Sequence, residues 1–222
     1  IIHYDFDAIN GTTVPDISGN GNNGTLQGAA TAVEGYSGQG VQCTVKADYI
    51  SLPSGFPTSL TSFTYATWVK VSALKNATRF FDLGIGADAT NNFLAFVPSY
   101  GADNGYMVLR YRPATGTAVN VTSTTKLPTG VWAHVALTYA WNAATSTGTA
   151  KMYLNGAVVA TGTGLTYNPS LSLGAATENY LCYSRWTQDA NGFGGAVDDV
   201  RFYNRALTAD DVLTLNGLAE LN

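Results

Sequence analysis

The stretch FTYATWVKV, Phe63 to Val71, decides how the chain is read. Successive side chains of a strand point to opposite faces, so Phe63, Tyr65, Val69 and Val71 fall on one side and Ala66 and Trp68 on the other. Neither side is made for water, and a strand covered on both faces belongs inside a packed sandwich. Outward from this segment, short runs rich in β-branched and aromatic residues recur between Gly, Pro, Asn and Ser. They are DYISLP (48–53), RFFDLGIG (79–86), NFLAFVPS (92–99), GYMVLRYRP (105–113), VWAHVALTY (131–139), AKMYLNGAVVATG (150–162), LSLGA (171–175), NYLCYSRW (179–186) and GGAVDDVRFYNR (194–205). All read as strands or hairpins. Within MYLNGAVVA, Asn155-Gly156 supplies the two positive-φ positions of a type I′ turn and predicts a tight hairpin.

Only LTADDVLTL (207–215) reads as a helix, with Thr208 as N-cap, Asp210 and Asp211 in the first turn, and Val212, Leu213 and Leu215 to pack. Ten or more closely spaced strands and one terminal helix predict an all-β fold. The expected architecture is a two-sheet antiparallel jelly-roll sandwich with a short C-terminal helix, residues 1–222 forming one domain.

Hydrophobic residues make up 45% of the 222 and charged residues 12%, too apolar for a disordered chain, and no apolar run reaches membrane-spanning length. The net charge is −4 and no Lys/Arg cluster is present to neutralise a phosphate backbone, which argues against nucleic acid as partner. IIHYDFD has neither an initiator Met nor a basic region leading into an apolar stretch, so the expectation is a removed leader or a module excised from a longer, exported chain. Cys43 and Cys182 are too few and too far apart for a zinc cluster, which leaves one disulfide or two buried thiols.

DISGNGNNGTLQG, Asp16 to Gly28, has almost nothing to bury. Its order D-x-S-x-N-G sets oxygen-bearing side chains at alternate positions and Gly21 at the sixth, where a chain wrapping a hard cation must turn. Gln27 stands where an EF-hand needs a bidentate glutamate, so an EF-hand is excluded. Calcium needs six to eight oxygens, and the loop would borrow them from Asp5 and Asp7 or from Asp198 and Asp199, adjacent acids in an apolar strand. Alternation sends Asp198 and Asp199 to opposite faces, so one ligand is expected of the two. The competing reading is an Asx-rich turn with exposed aspartates.

Catalytic constellations are missing. His134 sits in an apolar strand as a hydrogen-bonded core residue, His3 is terminal, and no G-x-S-x-G turn occurs. Glutamate is found only at Glu34, Glu178 and Glu220, too scattered for the paired carboxylates of a glycosidase. Sugar binding needs an aromatic face and planar polar groups, and two places supply both. CYSRWTQDANGF (182–193) offers Tyr183, Arg185, Trp186, Gln188 and Asp189. LRYRP offers Arg110 and Arg112, joined by Arg79 and Asn92 from possible neighbouring strands. The blander alternatives are a tryptophan folded over the sandwich edge and a salt-bridged sheet face.

Taken in order from about residue 4 to 215, DISGNGNNGTLQGA, DYISLP, FTYATWVKV, GVWAHVALTY, MYLNGAVVATG, NYLCYSRW and FGGAVDDVRFYNRALTADDV resemble the successive signatures of laminin-G-like domains of the concanavalin A-like lectin/glucanase superfamily. The resemblance implies a β-sandwich with a structural calcium held by the early Asp/Asn loop and an aspartate of the DDVR strand. Carried over, that means Asp16, Asn20, Asn23 and Asp198 or Asp199, with Asp7 as a further candidate. Relatives place an apolar residue at position 43 and a small one at position 182, so the paired change to Cys43 and Cys182 implies a bridge. YSRWTQDANGFGG is similar to a stretch common in domains appended to plant-polysaccharide hydrolases. The expected function is a secreted, non-catalytic module that binds a polysaccharide or oligosaccharide, beside a catalytic domain of the same parent. The alternatives are a structural or adhesion module, and a hydrolase or lyase with unrecognised acid and base.

Overall fold

The computed structural model describes residues 1–86, 92–101, 104–174 and 176–217. Sixteen strands make up the order β1 (Ile2–Tyr4), β2 (Thr13–Val14), β3 (Gly24–Gln27), β4 (Thr31–Glu34), β5 (Gln39–Cys43), β6 (Tyr49–Ser51), β7 (Phe63–Val71), β8 (Phe81–Gly84), β9 (Phe93–Val97), β10 (Tyr106–Arg112), β11 (Val119–Lys126), β12 (Ala133–Asn142), β13 (Thr147–Leu154), β14 (Ala157–Leu165), β15 (Glu178–Leu181) and β16 (Gly195–Tyr203). They form two eight-stranded antiparallel sheets. One runs β14-β13-β12-β7-β16-β5-β4 with β1 added beside β16, the other β11-β10-β9-β8-β15-β6-β3-β2. The all-β sandwich expected from sequence is what the chain adopts.

The strand 63–71 is the central strand of the first sheet's order, between β12 and β16, and its first seven residues are all buried. Phe63, Tyr65, Val69 and Val71 join the main core between the sheets, while Ala66 packs outside under helix α2 (Ala209–Gly217) with Ala136, Tyr153, Leu207, Val212 and Leu215. The helix starts as its residues dictate: Asp211 N–H donates to Thr208 Oγ1 (3.1 Å) and Thr208 N–H to Asp211 Oδ2 (3.0 Å), a reciprocal cap. Asn155 (φ 49°) and Gly156 (φ 78°) make the tight hairpin between β13 and β14.

LSLGA is not a strand. Residues Pro169–Leu173 form the short helix α1, because Asn168 caps it through a hydrogen bond accepted from Leu171 N–H and Pro169 presets the first-turn φ; Ala175 lies outside the described residues. Strand β11 is an addition to the sequence-read set, a Thr-rich, half-exposed edge strand whose pattern carries little apolar signal.

Two local features position everything that follows. First, the ladder of the second sheet brings Thr25, Ser51, Tyr180, Asp82, Ala95, Arg110 and Asn120 into one lateral row on seven adjacent strands. Second, β16 carries a bulge between Asp198 and Arg201, with Asp199 at φ 49°. Its edge is thereby shared: Gly195–Val197 pair with β5, and Val200–Phe202 pair with β1.

Candidate functional site

Cross-strand pairing puts Phe93, Ala95 and Val97 of β9 on the same outward face as Val108, Arg110 and Arg112 of β10. That apolar strip of Phe93, Ala95, Val97 and Val108 is covered from outside by Tyr100 and Trp186. The Arg110 guanidinium lies over the Tyr100 ring at 4.3 Å, with Trp186 at 5.8 Å and Phe93 at 5.9 Å. Burial lowers its pKa, opposed by Tyr100 and Asp189 and reinforced by Arg79 and Arg112. It stays a cation, held between rings, with Nη1 donating to Asn120 Oδ1 (2.8 Å). Arg110 Nε is buried and, among the described residues, has no acceptor. A half-buried tryptophan beside a ring-stacked arginine is an amphipathic surface: one side grips an apolar ring face, the other donates hydrogen bonds.

Beneath it lies a buried charge network. Asp82, fully buried on β8, pairs with Arg185 Nε (2.9 Å) and Arg79 Nε (3.3 Å); Arg79 Nη2 reaches Asp189 Oδ2 (3.0 Å), which also accepts from Ser184 Oγ (2.6 Å). Arg185 Nη1 donates to Gly86 O (2.8 Å), and its guanidinium lies flat on Gly84, where any Cβ would overlap it. Two arginines and two aspartates thus bolt the loop 182–191 onto β8, and the loop carries Trp186. Lys46 adds a further tie, its Nζ donating to Trp186 O (2.6 Å).

The two sequence-read places are therefore one place: Trp186 and Asp189 come from the loop, Arg79 and Arg110 from the sheet side. The roles differ from those expected. Arg79 and Arg185 are buried and act as bolts, because each finds a carboxylate beneath the loop, so neither is a surface group for ligand. Asn92 turns away, donating to Ser172 O (2.5 Å) and accepting from Tyr167 Oη (3.2 Å). Arg112 donates to Gly116 O (3.2 Å) at the far end of β10, and Gln188 is exposed on the loop. Tyr183 leaves the loop on the opposite flank, toward Tyr49 and Tyr180. Tyr100 and Lys46 escaped sequence reasoning, since nothing local in SYG or VKAD marks either.

The cation implied by the resemblance meets a different geometry. Asp16 closes its own loop: Oδ1 accepts from the N–H of His3 (2.9 Å) and Ser18 (3.0 Å), and Oδ2 from that of Asn22 (2.9 Å). Burial raises its pKa, but the hydrogen bonds of Ser18, His3 and Asn22 outweigh it and hold the carboxyl below its ordinary value. Asn23 Oδ1 accepts from Asp16 N–H, and Asn20 bonds Ser18. These are the hydrogen bonds of the Asx-rich turn of the alternative reading, and they engage the oxygens of Asp16 and Asn23 with backbone N–H groups. The fastening is instead His3, whose backbone N–H binds Asp16 and whose Nε2 lies 2.6 Å from Asp199 Oδ1. Arg201 holds the same carboxylate (3.0 Å), so Asp199 is already paired.

The bulge also overturns the expectation of opposite faces. Asp198 and Asp199 both line one pocket of about 210 Å³, with His3, Asp5, Asp7 and Trp68. Asp198 is buried and makes no ion pair among the described residues; Oδ2 accepts from Tyr36 N–H (2.8 Å) and Ser37 N–H (3.0 Å), and burial pushes the carboxyl up to about 6. Asp7 Oδ1 accepts from Gln39 N–H (2.7 Å) in the same turn. An anionic oxygen lacking a counter-ion suits a hard cation, and Asp7 and Asp198 are the pair that would hold one. Among the described residues no cage of three or more such side chains forms, so backbone carbonyls and water would supply the remaining ligands.

Cys43 and Cys182 come together as the bridge reading requires, but as two buried free thiols; burial and the hydrogen bond with Cys43 raise the Cys182 pKa. Glu34 lies on β4 and Glu178 on β15, in different sheets, and Glu220 is outside the described residues.

A family model described as the concanavalin A-like lectin/glucanases superfamily matches residues 44–213. Among solved structures, domain 4 of AbnA, a GH43 extracellular arabinanase from Geobacillus stearothermophilus in complex with arabinotriose, is similar over 97% of this chain and 97% of its own, at 25% identity and TM-score 0.75. The Ruminococcus gnavus IT-sialidase CBM40 bound to α2,3-sialyllactose shares the fold over 80% of this chain and 96% of its own, at 15% identity and TM-score 0.61. So does the binding domain of Paraclostridial Mosquitocidal Protein 1, over 98% of this chain and 52% of its own, at 14% identity and TM-score 0.69. No curated protein sequence matches.

Proposed function

We propose that this chain, which belongs to the concanavalin A-like lectin/glucanase superfamily, is a non-catalytic, extracellular carbohydrate-binding module for a plant-type polysaccharide. The observation that carries the reading is the pairing of ring-stacked Arg110 with Trp186, whose loop is bolted by buried Arg79, Asp82 and Arg185 and half-buried Asp189. A pyranose or furanose would lay its apolar face on the exposed part of Trp186 while Arg110 and Asp189 meet its hydroxyls. Rigidity matters because ordering a loop on binding costs affinity, and this loop is ordered beforehand. The likeness to an arabinanase domain solved with arabinotriose supports arabinan as the first polymer to try. Such a module works beside a catalytic domain, bringing the polymer within its reach.

Affinity electrophoresis against arabinan, galactan and other plant polysaccharides tests this. Retardation on at least one of them, lost in Trp186→Ala and kept in Thr145→Ala of the exposed β12–β13 turn, is the expected result. No retardation on any glycan would favour a spacer or adhesion module; release of sugars from the panel would restore a hydrolase or lyase.

A structural calcium held by Asp7 and Asp198 belongs to the same reading. When bound, it would neutralise the buried Asp198 and pin the β4–β5 turn against β16. Since the ion binds the folded form, free calcium at a hundred times its Kd adds about 2.7 kcal/mol. A melting temperature that rises with millimolar calcium, falls with EDTA and no longer responds in Asp7→Asn is expected; a melt indifferent to both overturns the ion.

A further inference from the structure

We infer that the site continues past Trp186 onto a platform of three tyrosines, Tyr49, Tyr180 and Tyr183, and that its ligand is a run of several sugar residues laid across the strands rather than one terminal sugar. This rests on the carbohydrate reading above and extends it. Tyr49 comes from β6, Tyr180 from β15 and Tyr183 from the loop, with ring centroids 4.5, 5.0 and 5.3 Å apart and all three rings half-buried. A shallow open depression at their side is lined by Gln27, Gly28, Lys46, Ala47, Tyr49 and Tyr183. Aromatic faces flanked by planar polar groups are what sugar rings rest on.

Lys46 joins the platform to the Trp186 face. Its Nζ sits 5.6 Å from the Tyr183 centroid and hydrogen-bonds Trp186 O at 2.6 Å. Burial lowers its pKa, Asp189 raises it and Arg79 lowers it, so it shares the field of the charge network below the loop. Arg110 and Tyr180 stand in one lateral row with β9 and β8 between their strands. Three strand spacings separate them, roughly 14 Å, more than one sugar ring spans.

The platform is also preorganised. Asp48, 4% exposed, accepts the N–H groups of Thr44 (3.1 Å) and Val45 (3.0 Å) on Oδ2 and of Ala29 (2.9 Å) on Oδ1, which freezes the turn carrying Lys46 and Ala47. Those bonds, Val45 foremost, hold its carboxyl below the ordinary range. A turn held in this way costs no ordering entropy when a ligand lies on it.

Titration calorimetry with linear arabino-oligosaccharides from the dimer to the octamer tests the extension. Wild-type affinity is expected to rise with chain length. In Tyr49→Ala and in Tyr183→Ala the loss should widen with length to about tenfold on the longest chains, whereas Trp186→Ala should weaken binding at every length. Unfolding of either tyrosine variant, seen in its melt, leaves the other to carry the comparison. Length-independent wild-type affinity, or a tyrosine loss equal at all lengths, overturns the platform and leaves the Trp186 site standing. Absence of any glycan affinity in the wild type instead overturns the site itself.

Discussion

Replacing Asp82 by asparagine should be among the most damaging single changes in the protein. The side chain is 0% exposed and is, among the described residues, the one carboxylate within ion-pair distance of Arg185, itself 2% exposed. Asparagine keeps the shape but withdraws the charge, leaving Arg185 with Gly86 O and no counter-ion among the described residues, while Arg79 keeps Asp189. Removing one partner of a buried pair typically costs about 3–5 kcal/mol, because the other charge stays desolvated. For a chain of this size each kcal/mol lowers the melting temperature by roughly 2–4 °C, so a fall of roughly 6–20 °C is expected by calorimetry or circular dichroism. The loop should loosen with it, so glycan affinity falls at temperatures where the variant is still folded. Arg185→Met combined with Asp82→Leu removes both charges and should recover much of the stability but not the affinity. A loss under about 1 kcal/mol for Asp82→Asn would refute the reasoning, since it would mean that Arg185 is compensated by some other group.

Two further outcomes are open to measurement. Burial lowers the pKa of His134 to about 4, with Asp199 opposing and Arg201 assisting, and its Nδ1 has no partner among the described residues. The unfolded chain titrates at the ordinary value near 6.5 and takes up the proton first, so this residue's contribution is complete above about pH 6.5 and is lost as pH falls toward 4. The loss amounts to about 3 kcal/mol. Urea unfolding across that window should show the slope in the wild type and lack it in His134→Gln; equal slopes would remove the assignment. Mild oxidation should bridge Cys43 and Cys182 within one chain, closing a long loop and stabilising the fold by about 5 kcal/mol in the chain-entropy model. Intact-mass measurement after alkylation in denaturant reads the bridge, and two alkylated thiols after oxidation would contradict it.

Where the sequence spoke through periodicity or a local rule, it was legible. FTYATWVKV coincides with β7, Asn155-Gly156 with its turn, and Thr208 with its helix cap, because each is fixed by neighbours a few residues away. LSLGA misled because Asn168-Pro169, a start signal for a helix, lies just before the segment read as a strand. Asp198 and Asp199 misled for a backbone reason: one residue at positive φ breaks the alternation on which face assignment rests. Among the site residues Trp186 and Arg110 were nameable as types, but the junction of Arg79 with Asp189 spans 110 positions of sequence and has no local trace. Arginine is usually read as a surface group, and burial of Arg79 and Arg185 follows only once Asp82 is seen between them.

The shared edge of β16 has a consequence for how the molecule comes into being. Ile2, His3 and Tyr4 find their hydrogen-bonding partners at Phe202, Arg201 and Val200, so the first strand of the sandwich zips against its last. Such remote pairing is slow to nucleate, since the whole intervening polymer must be brought to order before it yields any reward. During synthesis β1 must wait, with Ile2 and Tyr4 uncovered, until β16 has left the ribosome.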